Sequence, residues 1–337
     1  MPKSLLIATT AVVALTAPAF AQSDEVRSAG EEATTSVRDF EVPEEAPTMD
    51  FAAAGVEQWR IGILGGENEA DRLREYSCLE DHVEKQFNVP AELFPASDYA
   101  GVMQGLISDN LETAGLGSSG YAGVHIQDPE AVDPLVTNEQ VDGSRGYYSV
   151  MLVRADSDID SLEDMAGKTL AFADPNSTSG YLVPNYELNQ AGYTTEGPDA
   201  FFAETAFSGG HEQGVVAVLN GQYDAAVTWV SGVGDKSKGF SRGNLRSMWE
   251  KDALDMDDIR IIWQSNLITN GPVVVREDLP EEVKATYQDF LLWLSYNDRE
   301  CYANIADGEA NGYVPVTHEF YEPIINMRRA TMDSRRG

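Results

Sequence analysis

The sequence predicts an α/β protein built from two lobes. Short apolar segments alternate with segments whose apolar residues recur at helical spacing, which is typical of strands and helices in open sheets of parallel strands. This alternation runs once, reaches a long apolar strand at residues 146–153, and then starts again. Four of the turns from strand to helix are rich in glycine or hydroxyl residues. Since ligands of such sheets bind at these turns, we expect the functional site there.

The first round of strands and helices begins with the apolar segment WRIGIL and the turn Gly65-Gly66. A helix at 68–87 is predicted because Leu73, Leu79 and Val83 recur near helical spacing. The further elements of this round are a strand at 91–94, a helix after Asp98, a strand at 113–116, a helix after Gly117-Ser118-Ser119-Gly120, and the long strand at 146–153.

The second round begins at Ser161, which is predicted to cap a short helix. A glycine-rich turn at 208–210 is followed by a helix whose apolar residues include Val215 and Leu219. The strands of this round are predicted at 169–173, 201–207, 223–230, 259–263 and 272–275, and a helical C-terminal region at 281–297.

The N-terminus predicts export. Residues 1–21 form a signal peptide, because Lys3 precedes an apolar run and Ala19-Phe20-Ala21 is a small-x-small cleavage site. We expect cleavage after Ala21 and a periplasmic protein. Residues 22–55 are acidic and poor in large apolar side chains, so we expect a disordered leader and a folded part that begins near Val56.

Charge and cysteine content limit the partners. The formal net charge of −33 argues against nucleic acid and against anionic membranes, and any anion site must then be set up locally. The four histidines are scattered and match no zinc motif, so no metal is expected. In an oxidising compartment Cys78 and Cys301 could form one disulfide or remain two buried thiols.

The segment DPNSTSGYLVP at 174–184 is the main functional signal. An apolar strand runs into a tight turn, three hydroxyls follow at Ser177, Thr178 and Ser179, and Gly180 opens an apolar stretch. Unpaired backbone N–H groups at a helix start attract anions, and hydroxyls add donors that rotate to suit a tetrahedral anion. A simple helix cap needs only one serine. The pattern therefore favours an oxyanion site.

Three further side chains are candidates for the same site. Tyr99 lies at a helix start, Tyr147 enters the long strand, and His211 follows a glycine-rich turn. Each alone is compatible with ordinary core packing. The segment around Ser177 is no nucleophile elbow, and the chain lacks a P-loop lysine motif and a G-x-G-x-x-G fingerprint. We therefore expect a binding protein without a cofactor rather than an enzyme.

Several segments, in the expected order, resemble the phosphonate- and phosphite-binding proteins of ABC importers: DYAG at 98–101, GYYSV at 146–150, DPNSTSGYLVP at 174–184, GHE at 210–212 and IWQS at 262–265. The resemblance implies a type II periplasmic binding protein with two Rossmann-like lobes, a hinge and a cleft between them. Lobe 1 would comprise 56–150 and 262–337, and lobe 2 would comprise 151–261. Both cysteines then lie in lobe 1, which favours a disulfide.

The resemblance also implies the roles of the site residues. Ser177, Thr178, Ser179 and His211 would hold the anion from one lobe, and Tyr99 and Tyr147 would contact it from the other lobe and the hinge. The partners would be a small phosphorus oxyanion and a membrane permease, and the chain would be a monomer that closes on its ligand.

One departure bears on the ligand. Relatives that bind aminoalkylphosphonates place carboxylates around the ammonium, whereas this chain has Ser231 at one such place and Asn270-Gly271 at another. Because an ammonium buried without an anionic partner costs several kcal/mol, we expect methylphosphonate, phosphite or phosphate to bind better than 2-aminoethylphosphonate. Asp224 or Asp235 could replace the missing acids, and Trp229 could form an apolar wall.

Other functions remain open at this point. A periplasmic sensor subunit could bind the same ligand and present it to a receptor. Hydroxyls and amides do not by themselves distinguish tetrahedral anions, so a sulfonate is an alternative ligand. An esterase or phosphatase with Ser177 or Ser179 as nucleophile is the least favoured alternative. His211 could in principle serve as its base, but the turn is not a nucleophile elbow of the G-x-S-x-G type.

Overall fold

The computed structural model describes residues 40–65 and 68–334. The predicted signal peptide and the leader up to residue 39 lie outside these residues. Our prediction that the folded part begins near Val56 is wrong. Phe51 is fully buried and stacks on Phe87 with ring centroids 4.2 Å apart, and it also packs against Trp59. The acidic composition of this stretch concealed two aromatic residues, Phe51 and Phe40, that pack against the core.

The first lobe is built around a six-stranded sheet in the order β12-β4-β11-β3-β1-β2. Its strands are β1 (Trp59–Ile63), β2 (Ala91–Pro95), β3 (Thr113–Gly115), β4 (Val132–Glu139), β11 (Pro272–Arg276) and β12 (Gly312–Pro315). Its helices are α1 (Glu69–Phe87), α2 (Tyr99–Ile107), α3 (Ser118–Gln127), α7 (Glu281–Asn297), α8 (Arg299–Ile305) and α9 (Glu322–Ser334).

The second lobe is built around a sheet in the order β10-β5-β8-β6-β7, with β9 also paired to β5. Its strands are β5 (Gly146–Arg154), β6 (Thr169–Phe172), β7 (Glu204–Phe207), β8 (Ala225–Val230), β9 (Ile259–Gln264) and β10 (Ile268–Thr269). Its helices are α4 (Val183–Gln190), α5 (His211–Leu219) and α6 (Asn244–Glu250), and a π-helical turn (Thr178–Leu182) precedes α4.

The α/β class is confirmed, but the sheets are mixed rather than parallel throughout. The pairs β1–β2, β1–β3, β6–β7 and β6–β8 are parallel, whereas β5, β9, β10 and β11 pair antiparallel with their neighbours. Each antiparallel pair includes β4, β5, β10 or β11, which are the strands next to the crossings between the lobes. Strand β4 was not predicted, because Pro134 interrupts its apolar pattern beside a register shift in the pairing with β11.

The chain passes between the sheets twice, and both crossings differ from those we expected. Strand β5 lies wholly in the second sheet, so the first crossing falls between Glu139 and Gly146 rather than near residue 150. Strands β9 and β10 also belong to the second sheet, so the chain returns just before Pro272. These two short segments are the hinge.

A disulfide joins Cys78 of α1 to Cys301 of α8, with both cysteines in the first lobe as expected. It connects parts of the chain that are 223 residues apart in sequence. The helices that it joins carry Arg72 and lead into Asp307, whose side chains form an ion pair of 2.8 Å. The disulfide therefore fixes the wall of the first lobe that faces the cleft.

Candidate functional site

A cavity of about 170 Å³ lies between the two lobes. All six residues that we predicted for the site line it, although they come from distant parts of the sequence: Tyr99, Tyr147, Ser177, Thr178, Ser179 and His211. The three hydroxyl residues and His211 are each at most 4 % exposed. The structure thus brings the predicted residues together in one enclosed space.

The hydroxyl-rich turn owes its shape to a π-helical start. The Ser177 side chain accepts a hydrogen bond from the Gly180 N–H at 2.9 Å, and its carbonyl accepts from the Leu182 N–H at 3.0 Å. A side chain at Gly180 would lie 2.5 Å from the Ala173 Cβ and 3.0 Å from the His211 ring. Glycine is therefore required for the histidine to approach the turn.

His211 belongs to a chain of hydrogen bonds that runs toward Ser177. The Asn244 amide donates to Thr228 Oγ1 at 2.9 Å, and Thr228 Oγ1 lies 3.4 Å from His211 Nδ1. We assign the Thr228 hydroxyl proton to a hydrogen bond with Nδ1, which places the proton of the neutral imidazole on Nε2, 3.1 Å from Ser177 Oγ. Because Ser177 Oγ already accepts from Gly180, its O–H proton is directed to a ligand.

Burial lowers the pKa of His211 to about 4. The imidazole is therefore neutral at neutral pH and acts as a hydrogen-bond donor without a charge. The groups at this turn that could pair with an anion are therefore its N–H and O–H donors rather than an imidazolium.

Thr178 connects the two lobes directly. Its Oγ1 accepts a hydrogen bond from the Ser119 N–H at 2.8 Å and lies 3.3 Å from Ser118 Oγ. Ser118 and Ser119 are the first residues of α3 in the first lobe, where backbone N–H groups are otherwise unpaired. Ser149 of β5 donates to the Ser179 carbonyl at 2.6 Å and holds the same turn against the second sheet.

Tyr147 lies at the hinge, and Tyr99 begins α2 on the opposite lobe. Burial raises the pKa of Tyr147, and hydrogen bonds with Ser179 and Thr178 oppose that rise, so the phenol stays protonated beside the hydroxyl-rich turn. Its ring meets Trp229 edge to face at 5.5 Å. Trp229 also lines the cavity, so its ring is placed where it could serve as an apolar wall, although core packing was the interpretation favoured from the sequence.

Several residues that line the cavity were not predicted from the sequence. They are Arg72 and Asp307, which form an ion pair, and Asn138 and Arg242. None of them belongs to a local motif. Arg72, Asp307 and Asn138 come from separate segments of the first lobe and Arg242 from the second lobe, so only the tertiary fold brings them to one cavity.

The acids that could hold an ammonium are absent from the places that we examined in the sequence. Ser231 hydrogen bonds with Ser241, and Asn270 donates to the Asn138 carbonyl. A side chain at Gly271 would lie 1.8 Å from the Leu116 carbonyl oxygen, so no carboxylate fits there.

The replacements that we considered, Asp224 and Asp235, do not line the cavity. Asp224 accepts from Thr169 at the start of the strands, whereas the site lies at their ends, and Asp235 caps a short helical turn. That expectation is wrong.

The lobes touch at several points besides Thr178. The Arg328 guanidinium donates to the Ser119 carbonyl at 2.8 Å and to Asn176 Oδ1 at 2.6 Å, so it joins α3 to the turn of the second lobe. Lys251, directly after α6, forms an ion pair of 3.2 Å with Glu75 of α1. With the site residues buried, these contacts describe a closed arrangement of the lobes. No helix within residues 40–65 and 68–334 is long and apolar enough to cross a membrane.

Comparison with known proteins agrees with this architecture. The family described as the periplasmic substrate-binding protein of phosphonate ABC transporters matches residues 61–321. The phosphate-import protein PhnD of Mycolicibacterium smegmatis is 31 % identical over 294 residues, covering 82 % of this chain and 87 % of that protein. The phosphonates-binding periplasmic protein of Escherichia coli is 31 % identical over 243 residues, covering 69 % and 64 %.

A solved structure gives the same result for the fold. The crystal structure of a binding protein component of an ABC phosphonate transporter from Pseudomonas aeruginosa aligns with a TM-score of 0.69 and 25 % identity, over 86 % of this chain and 87 % of that one. The two sheets, the hinge and the cleft are thus those of a type II periplasmic binding protein. The chain belongs to the family of periplasmic substrate-binding proteins of phosphonate ABC transporters.

Proposed function

We propose that this protein captures a small phosphorus oxyanion, such as methylphosphonate, phosphite or phosphate, and delivers it to an ABC permease. The observation that carries the proposal is the set of donors at one end of the cavity. Ser177, Thr178 and Ser179 lie on one turn with neutral His211 behind them. Rotatable hydroxyls and helix N–H groups suit a tetrahedral oxyanion.

The relatives support the same ligand class by their names, which refer to phosphate import and to phosphonate binding. Tyr99 and Tyr147 complete the site from the first lobe and the hinge. Export and cleavage after Ala21 would place the protein in the periplasm, where it can reach such a permease.

A ligand with an ammonium tail fits this cavity poorly. Among the described residues, the carboxylate that lines the cavity is Asp307, and it is already engaged by Arg72 at 2.8 Å. Since an ammonium buried without a partner costs several kcal/mol, 2-aminoethylphosphonate is expected to bind more weakly than methylphosphonate.

Closing of the lobes couples binding to delivery. The anion would bridge the second-lobe hydroxyls to Tyr99 of the first lobe, and the contacts of Thr178 and Arg328 form only when the lobes meet. A permease that recognises the closed form would then accept only the loaded protein. Binding without turnover follows from this scheme.

Isothermal titration of the exported chain against methylphosphonate, phosphite, phosphate, 2-aminoethylphosphonate and sulfate tests the proposal. We expect one-to-one binding of at least one phosphorus anion, weaker binding of 2-aminoethylphosphonate and sulfate, and no heat of hydrolysis. Binding of sulfate alone would contradict the ligand class, and steady product release would contradict a binding protein.

A further inference from the structure

Arg242 occupies the cavity beyond the hydroxyl-rich turn. It lies in the segment between β8 and α6, is 7 % exposed and lines the cavity. Its guanidinium lies over the Trp229 ring, with Cζ 5.1 Å from the centroid. Trp229 in turn contacts Tyr147, which neighbours the Ser179 hydroxyl. The charge of Arg242 also acts on the Tyr147 phenol, so the guanidinium lines the same side of the cavity as the aromatic residues beside the proposed anion site.

The guanidinium of Arg242 is poorly satisfied by the protein. Its Nε donates to the Ala306 carbonyl, while Nη1 is buried without a hydrogen-bond partner. Among residues 40–65 and 68–334, no carboxylate lies within ion-pair distance of it. A guanidinium carries five donors, and a buried charge without an anionic partner is costly.

The other charged groups in this region are already balanced. Arg72 is paired with Asp307 at 2.8 Å and with Glu75 at 3.4 Å, and Lys251 is paired with Glu75 at 3.2 Å. Within the part of the chain that the structure describes, the positive charge of Arg242 is therefore the one at this end of the cavity without a carboxylate in ion-pair distance. A cationic ligand tail would meet repulsion from it, whereas a carboxylate would find a planar fork of donors.

We infer that Arg242 forms a second subsite for the tail of the ligand, and that the protein prefers a phosphonate whose short tail ends in a carboxylate. The inference rests on the proposed function, because the phosphonate end would occupy the hydroxyl-rich turn. The cavity of about 170 Å³ leaves room for such a tail, since one water needs only about 10–15 Å³ on this scale.

Titration with phosphonoacetate, methylphosphonate and 2-aminoethylphosphonate tests the inference. Charge-assisted hydrogen bonds predict that phosphonoacetate binds at least tenfold more tightly than methylphosphonate. In Arg242→Gln this ratio is expected to fall toward one, and Arg242→Lys is expected to keep part of it. Arg246→Gln is the matched control, because Arg246 also lies over a tryptophan ring, at 5.0 Å, but does not line the cavity.

The outcomes separate this inference from the proposed function. If methylphosphonate binds and phosphonoacetate binds no more tightly, the subsite is refuted while the phosphorus oxyanion site stands. If phosphonoacetate is preferred equally by the native chain and Arg242→Gln, another residue holds the tail and the inference is wrong. If no phosphorus anion binds a folded native chain, the proposed function fails as well. A thermal melt confirms that each variant is folded.

Discussion

Replacing Thr178 by valine tests whether this residue serves both the ligand and the closing of the lobes. The change keeps the shape of the side chain and removes Oγ1, which accepts from the Ser119 N–H at 2.8 Å across the cleft. The closed form then contains a buried N–H without a partner, which costs about 1–3 kcal/mol, and the bound anion loses one donor, which costs about 1.5–3 kcal/mol.

Even at the lower ends of these ranges the two losses together are worth about 2.5 kcal/mol, so we expect affinity to fall by on the order of a hundredfold or more. Isothermal titration of the Thr178→Val protein with methylphosphonate measures that loss. Small-angle X-ray scattering at saturating ligand reports whether the variant closes less completely. Thr205→Val is the matched control, because its hydroxyl donates to the Thr195 carbonyl at 3.2 Å away from the cavity. Affinity within twofold of the native chain would refute this account of Thr178.

Three further predictions concern stability and closing. Replacing Cys78 and Cys301 by serine should lower the free energy of unfolding by about 5 kcal/mol, because the bond closes a loop over 223 residues; a loss below about 1 kcal/mol in urea unfolding would contradict this. The pKa of His211 is about 4, below its ordinary 6.5, so the unfolded chain gains a proton first as pH falls from 6.5 to 4. Between pH 6.5 and 4 the free energy of unfolding should therefore fall by about 3 kcal/mol more in the native chain than in His211→Gln. Parallel curves of unfolding free energy against pH for the two proteins would contradict this prediction. Arg328→Met should weaken methylphosphonate binding although Arg328 does not line the cavity, because its side chain hydrogen bonds to both lobes. Replacing the exposed neighbour, Arg329→Met, should leave the affinity unchanged. Equal affinities of the Arg328→Met and native proteins in titration would exclude this role.

Local patterns in the sequence predicted the parts of the fold that depend on local physics. Helix α1 begins and ends within a residue of the predicted range, because its apolar positions repeat at helical spacing. The hydroxyl-rich turn was predicted for a similar reason, since three consecutive hydroxyls before a helix exceed what capping requires. The six predicted site residues meet in one cavity because strand ends of both sheets face the cleft.

Features that depend on contacts between distant segments could not be predicted in this way. Phe51 anchors a stretch whose acidic composition suggests disorder, and its partner Phe87 is known only from the fold. Arg242 and Ala306 meet across the cleft, and no spacing in the sequence relates them. The direction of strand pairing was wrong at β5, β9 and β11 because the crossings between lobes, rather than the alternation of elements, decide it.

A crystal structure of the exported chain with methylphosphonate tests the central claim most directly. We predict that the phosphonate oxygens lie within hydrogen-bond distance of the hydroxyls of Ser177, Thr178 and Ser179. His211 Nε2 should keep its hydrogen bond with Ser177 Oγ, and the methyl group should pack against Trp229. The account would be contradicted if the lobes were closed and the phosphonate were bound by other residues, with no anion at the hydroxyl-rich turn.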